Sequence, residues 1–182
     1  MFIDRILYPV TALGPGNRIA LWVAGCSRQC KGCANPELWT RHPYQQITPN
    51  RLSTYVNGLS DKPIDGITIT GGEPFDQAQE LAVFLEGLKV PGDVLVFTGY
   101  NIEELKDARY QSFLNKIDVL IDGAYVEEQN DNQAALRGSL NQSIHYLNGA
   151  LASEYQAYLK KGRQIQNFIY DYKTISVGIH NR

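Results

Sequence analysis

The stretch "IALWVAGCSRQCKGC", residues 19–33, already indicates the fold class. The apolar run Ile19–Ala24 ends at Gly25 and is typical of a strand that is covered on both faces. Cys26 follows this run directly, so its side chain is expected at the carboxyl end of a sheet, where parallel α/β folds place their chemistry. We therefore expect a parallel α/β sheet with a functional site built around the cysteine loop.

The rest of the chain alternates between predicted strands and helices. Apolar spacing from Ala78 to Leu88 predicts a helix that Pro91 and Gly92 terminate. Asn101 and Glu104 have the spacing of a capping box, which predicts the start of a short helix. Three further apolar runs predict strands: Gly66–Thr70, Val94–Phe97 and Ile117–Ile121. Because parallel neighbours need crossover connections, this alternation favours a parallel sheet.

The length of the chain sets the expected domain organisation. A chain of 182 residues fits a single domain, residues 1–182, whereas a complete eight-stranded barrel takes about 250 residues. After about Asn148 the pattern changes to a helical stretch followed by strand-like composition. We expect a core over residues 1–147 and a small C-terminal appendage over residues 148–182.

Composition and charge exclude several classes of partner. The net charge is −2, which gives no electrostatic reason to expect nucleic acid or an anionic membrane as a partner. No apolar run is long enough to cross a bilayer, and Asp4 and Arg5 interrupt the only apolar patch at the N-terminus, so no secretory signal is expected. The three cysteines are clustered and odd in number, which favours a reducing, cytoplasmic location over a disulfide framework.

The cysteine cluster leaves several kinds of site open. Three buried structural cysteines have no reason to lie together in a polar loop. A redox pair would use a Cys-x-x-Cys and leave one thiol unexplained. Structural zinc needs a fourth ligand, whereas a [4Fe-4S] cluster on three thiolates leaves one iron open for a substrate. The thiols are Cys26, Cys30 and Cys33, and the histidines that could complete a zinc site are His42, His145 and His180.

Two motifs resemble those of the radical S-adenosylmethionine (radical SAM) enzymes. The spacing Cys-x-x-x-Cys-x-x-Cys after the first buried strand resembles the cluster loop of that family, and Gly71-Gly72-Glu73-Pro74 resembles its SAM-amino motif. The resemblance implies a [4Fe-4S] cluster whose open iron is chelated by SAM. It also implies reductive cleavage of SAM to methionine and a 5′-deoxyadenosyl radical.

Several motifs in order narrow the resemblance to the small activating enzymes of anaerobic, glycyl-radical ribonucleotide reductase. It covers roughly Met1 to Leu147, and pyruvate formate-lyase activating enzymes are broader relatives. It implies a partial (β/α) barrel of the radical SAM type, a glycyl radical made on the reductase, and a flavodoxin or ferredoxin as electron donor. The motifs are "GPGNR" (14–18), "GCSRQCKGCANPELW" (25–39), "FTGY" (97–100), "DVLIDG" (118–123) and "RGSLNQ" (137–142).

The resemblance also implies roles for individual residues. The three cysteines would ligate the cluster, and the backbone of Gly32 and Ala34 would lie against the adenine. Thr98 and Asp122 would line the rest of the SAM pocket, although a turn explains each of them as well. The chain departs from the family at Ala34, where an aromatic residue is frequent, and at Ala124, where lysine is frequent. The implied cofactor-binding residues are Gly32, Cys33, Ala34, Gly71, Gly72, Glu73, Pro74, Thr98, Asp122 and Gly123.

Other functions remain open at this point. The same radical chemistry could act on a different glycyl-radical enzyme, a peptide or a small molecule, and a non-catalytic iron–sulfur module could relay electrons or sense. The segment 14–18 is either part of the site or a turn followed by a solvated Arg18. Segment 137–142 either shapes the rim of the site or is a plain loop. The tyrosines at 155, 158, 170 and 172 are expected to pack, and the histidines to be structural or at the surface.

Overall fold

The strands of the central sheet lie side by side in the order in which they occur in the chain. They are β1 to β6, with bounds Ile3–Val10, Arg18–Val23, Gly66–Gly71, Asp93–Phe97, Val119–Asp122 and Ser143–Tyr146. A computed structural model describes residues 1–180. Strands β2 to β5 are parallel, and β1 and β6 are antiparallel edges of an open sheet. The predicted mixed α/β fold with a mostly parallel sheet is confirmed.

Three helices cover one face of the sheet: α1 (Pro49–Asn57), α2 (Ala78–Glu86) and α3 (Ala108–Leu114). Each helix lies in the crossover between two successive parallel strands. Alternate residues of β2, namely Ile19, Leu21 and Val23, share one buried cluster with the apolar side chains of these helices. No helix among residues 1–180 combines the length and the apolarity needed to cross a membrane.

The helix predicted from Asn101 is shorter than the sequence indicates. The Asn101 N–H donates to Glu104 Oε2 at 2.7 Å, but the Asn101 side chain caps nothing and only a 3₁₀ turn over Glu104–Lys106 forms. Helix α3 begins after it, where Asp107 Oδ1 accepts from the Arg109 N–H at 3.0 Å. Asp107 is the better cap because its side chain reaches a free N–H group in the first turn of α3.

The second face of the sheet is covered by the C-terminal part of the chain. This part consists of helix α4 (Ala152–Leu159) and an antiparallel hairpin, β7 (Ile165–Tyr170) with β8 (Lys173–Gly178). Ala20 and Trp22 of β2 pack with Val177 of the hairpin, while Tyr155 and Tyr158 of α4 are buried against β4 and β5. Strand β2 is therefore buried on both faces, as its continuous apolar run predicts.

Arg18 is buried, so the alternative of a turn followed by a solvated Arg18 is wrong for this side chain. Its Nε donates to Thr68 Oγ1 at 2.7 Å, and its two terminal nitrogens lie 2.8 and 3.0 Å from the two carboxylate oxygens of Asp93. The Tyr155 hydroxyl donates to the same carboxylate. Since Arg18 begins β2, this network lies at the end of the sheet away from the cysteines and ties α4 to β2 and β4.

Candidate active site

The carboxyl ends of the four parallel strands surround one cavity of about 210 Å³. Parallel strands all present their carboxyl ends at one edge of the sheet, so residues far apart in sequence meet there. Most of the predicted site residues line this cavity: Cys26, Cys30, Gly32, Cys33, Ala34, Gly71, Gly72, Glu73, Thr98 and Gly123. The rule that sites lie at the carboxyl ends of parallel strands therefore predicted the position of most of these residues correctly.

Pro74 and Asp122 are the predicted residues that do not line the cavity. Pro74 is buried as the first residue of a short 3₁₀ helix. Asp122 Oδ2 accepts from the Ile102 N–H at 2.7 Å, and its Oδ1 lies 3.1 Å from His145 Nε2 without hydrogen-bond geometry. Neither residue lies on the cavity in this structure, and their assignment to SAM binding stays a prediction.

The cysteine loop is held at several points by backbone hydrogen bonds. Gly25 and Cys26 donate their N–H groups to Leu38 O and Trp39 O, at 2.8 and 3.2 Å. The Cys33 N–H donates to Cys30 O at 3.1 Å, which closes a turn in which Gly32 has a φ of +75°. Such a φ suits glycine, so the loop needs a glycine at this position.

Asp76 anchors the loop from outside and was not foreseen from the sequence. Its carboxylate accepts from the Ser27 N–H at 2.7 Å and from the Ser27 hydroxyl at 2.8 Å. The Tyr100 hydroxyl also donates to Asp76, at 3.2 Å. Burial raises the pKa of Tyr100 to about 12, so this hydroxyl stays protonated and able to donate. The sequence indicates this role of Asp76 only through the position of its carboxylate, two residues after the Gly-Gly-Glu-Pro motif.

The donor set around the cavity can be compared with what each kind of metal site requires. All three cysteines lie outside disulfides and line one cavity, and burial raises the pKa of the Cys26 thiol. Among residues 1–180, no group of three or more Cys, His, Asp or Glu side chains converges as a site for a single metal ion. Tetrahedral zinc needs such convergence. In a cluster each thiolate binds a different iron, so three separated thiols fit an iron–sulfur cluster better.

Glu73 is a carboxylate held inside the protein without a cation beside it. It is 1% exposed and accepts from the Phe75 N–H at 2.9 Å, the Thr98 hydroxyl at 2.7 Å and the Gly99 N–H at 2.7 Å. No ion pair involves it among residues 1–180. Burial raises the pKa of Glu73 to about 7, and the nearby Asp76 adds to this effect. A cationic group that entered the cavity would stabilise the ionised form.

The two glycines before Glu73 are required by the packing of the protein itself. A Cβ at Gly71 would lie 2.5 Å from Val23 O, and a Cβ at Gly72 would lie 2.2 Å from Gly25 O. The resemblance to the SAM-amino motif implies that these glycines lie beside a ligand. The structure shows that they also let β3 end directly against the start of the cysteine loop.

Replacing Gly72 by alanine is expected to displace the cysteine loop, because the added Cβ would meet the carbonyl of Gly25 at 2.2 Å. We expect a loss of about 1–3 kcal/mol in the free energy of unfolding, measured by urea denaturation, together with less iron bound after reconstitution. Gly149→Ala is the matched control, since a Cβ there has no atom within 4 Å. Equal stability and iron content in the two variants would contradict the packing argument.

The cavity is also lined by two segments outside the predicted site residues, namely 137–142 and 175–180. Gly138 and Gln142 of the segment 137–142 line the cavity, which supports its assignment to the rim. Gln142 Nε2 donates to Gly123 O at 2.8 Å, and Gln142 Oε1 accepts from the Gly138 N–H at 2.7 Å. The end of the C-terminal hairpin, residues 175–180, also lines the cavity and had no sequence signal beyond its strand-like composition.

A protein-family model matches the part of the chain that contains the three cysteines. Residues 12–145 match the family model described as a 4Fe-4S single cluster domain. This range covers most of the chain and includes all three cysteines, Glu73 and Gln142. The fold and the cavity thus define a protein with a single-cluster iron–sulfur domain.

Individual relatives narrow this class. The chain is 37% identical over 146 residues to the anaerobic ribonucleoside-triphosphate reductase-activating protein of Vibrio cholerae, a match that covers 76% of this chain and 94% of the relative. The proteins of the same name from Escherichia coli K12 and Enterobacteria phage T4 are 35% and 34% identical. Those matches cover 77% and 79% of this chain, and 96% and 93% of the relatives. The chain belongs to the family of anaerobic ribonucleoside-triphosphate reductase-activating proteins.

Proposed function

We propose that this protein is a radical SAM activating enzyme that generates a glycyl radical on an anaerobic ribonucleotide reductase. One observation supports this most directly: three cysteine thiols and the buried carboxylate of Glu73 line the same cavity. The names of the relatives support the choice of the reductase as partner.

Cys26, Cys30 and Cys33 would hold a [4Fe-4S] cluster, and the family match to a single-cluster domain supports this ligand set. Glu73 would accept from the ammonium group of SAM, with Gly71 and Gly72 beside it and Gly123 at the end of β5. Gly32 and Ala34 would contact the adenine through their backbone. When bound, the cluster and SAM would supply the one-electron chemistry by which a hydrogen atom is removed from a glycine.

The protein's own residues orient these groups and exclude water. Thr98 and the Gly99 N–H fix the carboxylate of Glu73, so that its position is set before any ligand arrives. Asp76 fixes the cysteine loop through Ser27. No side chain need act as an acid or base, because the proposed reaction transfers a hydrogen atom.

The remaining parts of the proposal concern organisation and partners. We infer a single radical SAM domain with a core over residues 1–147 whose open sheet corresponds to a partial barrel. A flavodoxin or ferredoxin would supply the electron, the location would be cytoplasmic, and neither nucleic acid nor a membrane would take part.

The test uses protein purified without oxygen and reconstituted with iron and sulfide. We expect about four irons per chain, formation of 5′-deoxyadenosine from SAM under dithionite, and a glycyl-radical electron paramagnetic resonance signal when the reductase is added. Zinc in place of iron would overturn the cluster. A cluster without 5′-deoxyadenosine would leave an electron-transfer or sensing module, and 5′-deoxyadenosine without a glycyl radical would overturn the assigned partner.

The buried Glu73 predicts a pH dependence. Its pKa rises from 4.5 to about 7 on folding, so the folded protein holds a proton that the unfolded chain releases between these pH values. The free energy of unfolding should therefore fall as pH rises from about 4.5 to 7, by about 3 kcal/mol relative to Glu73→Gln. Urea denaturation of both cofactor-free proteins across this range measures the difference, and parallel pH profiles would contradict it.

The same ionisation predicts the pH dependence of SAM binding. An ammonium group pairs with the carboxylate form, so the Kd of the reconstituted protein for SAM should decrease as pH rises through about 7. Glu73→Gln should remove this trend and bind SAM more weakly at pH 8. Equilibrium dialysis without reductant measures binding separately from cleavage, and a pH-independent Kd in the wild type would count against the Glu73 assignment.

A further inference from the structure

The end of the C-terminal hairpin lies on the same cavity as the three thiols. Residues 175–180 line it together with the cysteine loop and the strand ends. The family match ends at residue 145, so this part of the wall comes from a segment outside the matched domain. The matches to the V. cholerae and E. coli relatives cover 76% and 77% of this chain and leave the rest of it unmatched.

The hairpin presents an apolar face toward the sheet and the cavity. Val177 is 2% exposed, and Ile175 and Ile179 pack beside it on a cluster that includes Leu13 and Trp22. All five of these side chains belong to residues that line the cavity. The hairpin and the sheet therefore share one apolar surface beside the polar cysteine loop.

Specific hydrogen bonds fix the hairpin and α4 in this position. Gln166 Nε2 donates to Pro9 O at 2.8 Å, and Gln166 Oε1 accepts from the Thr11 N–H at 2.8 Å. The Tyr158 hydroxyl donates to Thr11 O at 2.8 Å. Arg163, whose side chain is 7% exposed, donates to Arg137 O at 3.2 Å, next to the cavity-lining Gly138. These contacts attach the hairpin to β1 and to the segment 137–142 at the rim of the cavity.

We infer that Ile175, Val177 and Ile179 form a fixed apolar wall that limits the size of the molecules that reach the thiols and, once SAM fills the cavity, shields the reacting atoms from small solutes. The wall sets specificity, because a molecule must fit the space that these side chains leave. A substitution that shortens one of them opens the cavity, and one that lengthens it narrows the cavity.

The first test measures access to the thiols and does not depend on the proposed chemistry. The reduced, cofactor-free full chain is treated with iodoacetamide, a small reagent, and with fluorescein maleimide, a bulky one. Ile175→Ala and Ile179→Ala should accelerate labelling by the bulky reagent at least about threefold relative to the small one. Ile169→Ala is the matched control, since Ile169 is 75% exposed on the same hairpin and does not line the cavity.

A cavity-filling variant separates an opened wall from a loosened fold. Ile175→Trp should slow the bulky reagent while leaving iodoacetamide nearly unchanged. General loosening would accelerate both reagents in every variant, and thermal unfolding is recorded alongside. Equal reagent ratios in Ile175→Ala, Ile175→Trp and Ile169→Ala would overturn the wall.

The second test rests on the proposed function and uses the reconstituted enzyme with SAM, dithionite and perdeuterated glycerol. Where the wall is open, glycerol reaches the site: its C–D bond breaks, a C–D bond forms in 5′-deoxyadenosine, and a glycerol radical remains. We expect Ile179→Ala to raise the deuterated fraction at least about threefold over the wild type and Ile169→Ala. No 5′-deoxyadenosine in the wild type would refute the proposed function, whereas equal deuterium in all variants would refute only the wall.

Discussion

Replacing Cys30 by alanine is expected to abolish both cluster binding and the cleavage of SAM. The loop offers only three thiols, all on one cavity, and no other Cys, His, Asp or Glu in residues 1–180 forms a ligand group with them. A cluster that lost one of three protein ligands would have two open irons exposed to solvent. We expect iron to fall from about four to below about one per chain, and 5′-deoxyadenosine to fall to background.

Ser27→Ala is the control for this experiment, because it alters the same loop without removing a thiol. The Ser27 N–H still donates to Asp76 at 2.7 Å after the hydroxyl is lost, so most of the iron should remain. Iron content is measured by colorimetry and the cluster by its visible absorption. Full iron loading in Cys30→Ala would mean that the cluster, and with it the proposed reaction, does not use this loop.

Replacing Arg18 by methionine is expected to cause the largest loss of stability. The guanidinium is fully buried and donates to Thr68, Ile67 O, Pro15 O and both carboxylate oxygens of Asp93. Its removal leaves the carboxylate of Asp93, whose side chain is 11% exposed, without its cation. Breaking such a pair from one side costs about 3–5 kcal/mol, which corresponds to a decrease in Tm of roughly 10 °C.

Arg109→Met is the matched control, since the Arg109 side chain is 65% exposed, pairs with the nearby Asp107 and lies over the ring of Tyr110. It should change the free energy of unfolding by less than about 0.5 kcal/mol. Adding Asp93→Leu to Arg18→Met should recover part of the loss, because the unpaired carboxylate is then gone. A loss below about 1 kcal/mol in Arg18→Met would show that the buried pair contributes little beyond its packing.

The sequence predicts the sheet and the cavity because both depend on local patterns. The apolar run at residues 19–24 reports burial on both faces, and the strand-end rule then brings the cysteines, Glu73 and Thr98 together. The same rule does not bring Asp122 to the cavity, because a carboxylate at a strand end can equally accept from the N–H of another loop, here that of Ile102. A strand end fixes where a residue lies but not what its side chain contacts.

Contacts between distant parts of the chain could not be predicted in this way. Arg18 is buried because Asp93, 75 residues away, supplies the counter-charge. The sequence around Arg18 does not indicate such a distant partner. The hairpin was visible as strand-like composition, but its alternating polar residues did not indicate which surface it would cover. Asp76 was missed for the same reason, since its role depends on Ser27 from another segment.

The short helical turn Pro74–Gln77 joins the two halves of the cavity. Glu73 precedes it and faces the proposed SAM site, while Asp76 lies within it and holds the cysteine loop. Binding at either half therefore restrains the other through one rigid turn. If SAM increases the affinity of the loop for the cluster, thermodynamic reciprocity requires that the bound cluster increase the affinity for SAM by the same factor. In the proposed function SAM also contacts the cluster directly, so this turn would add to a coupling that the two ligands already have.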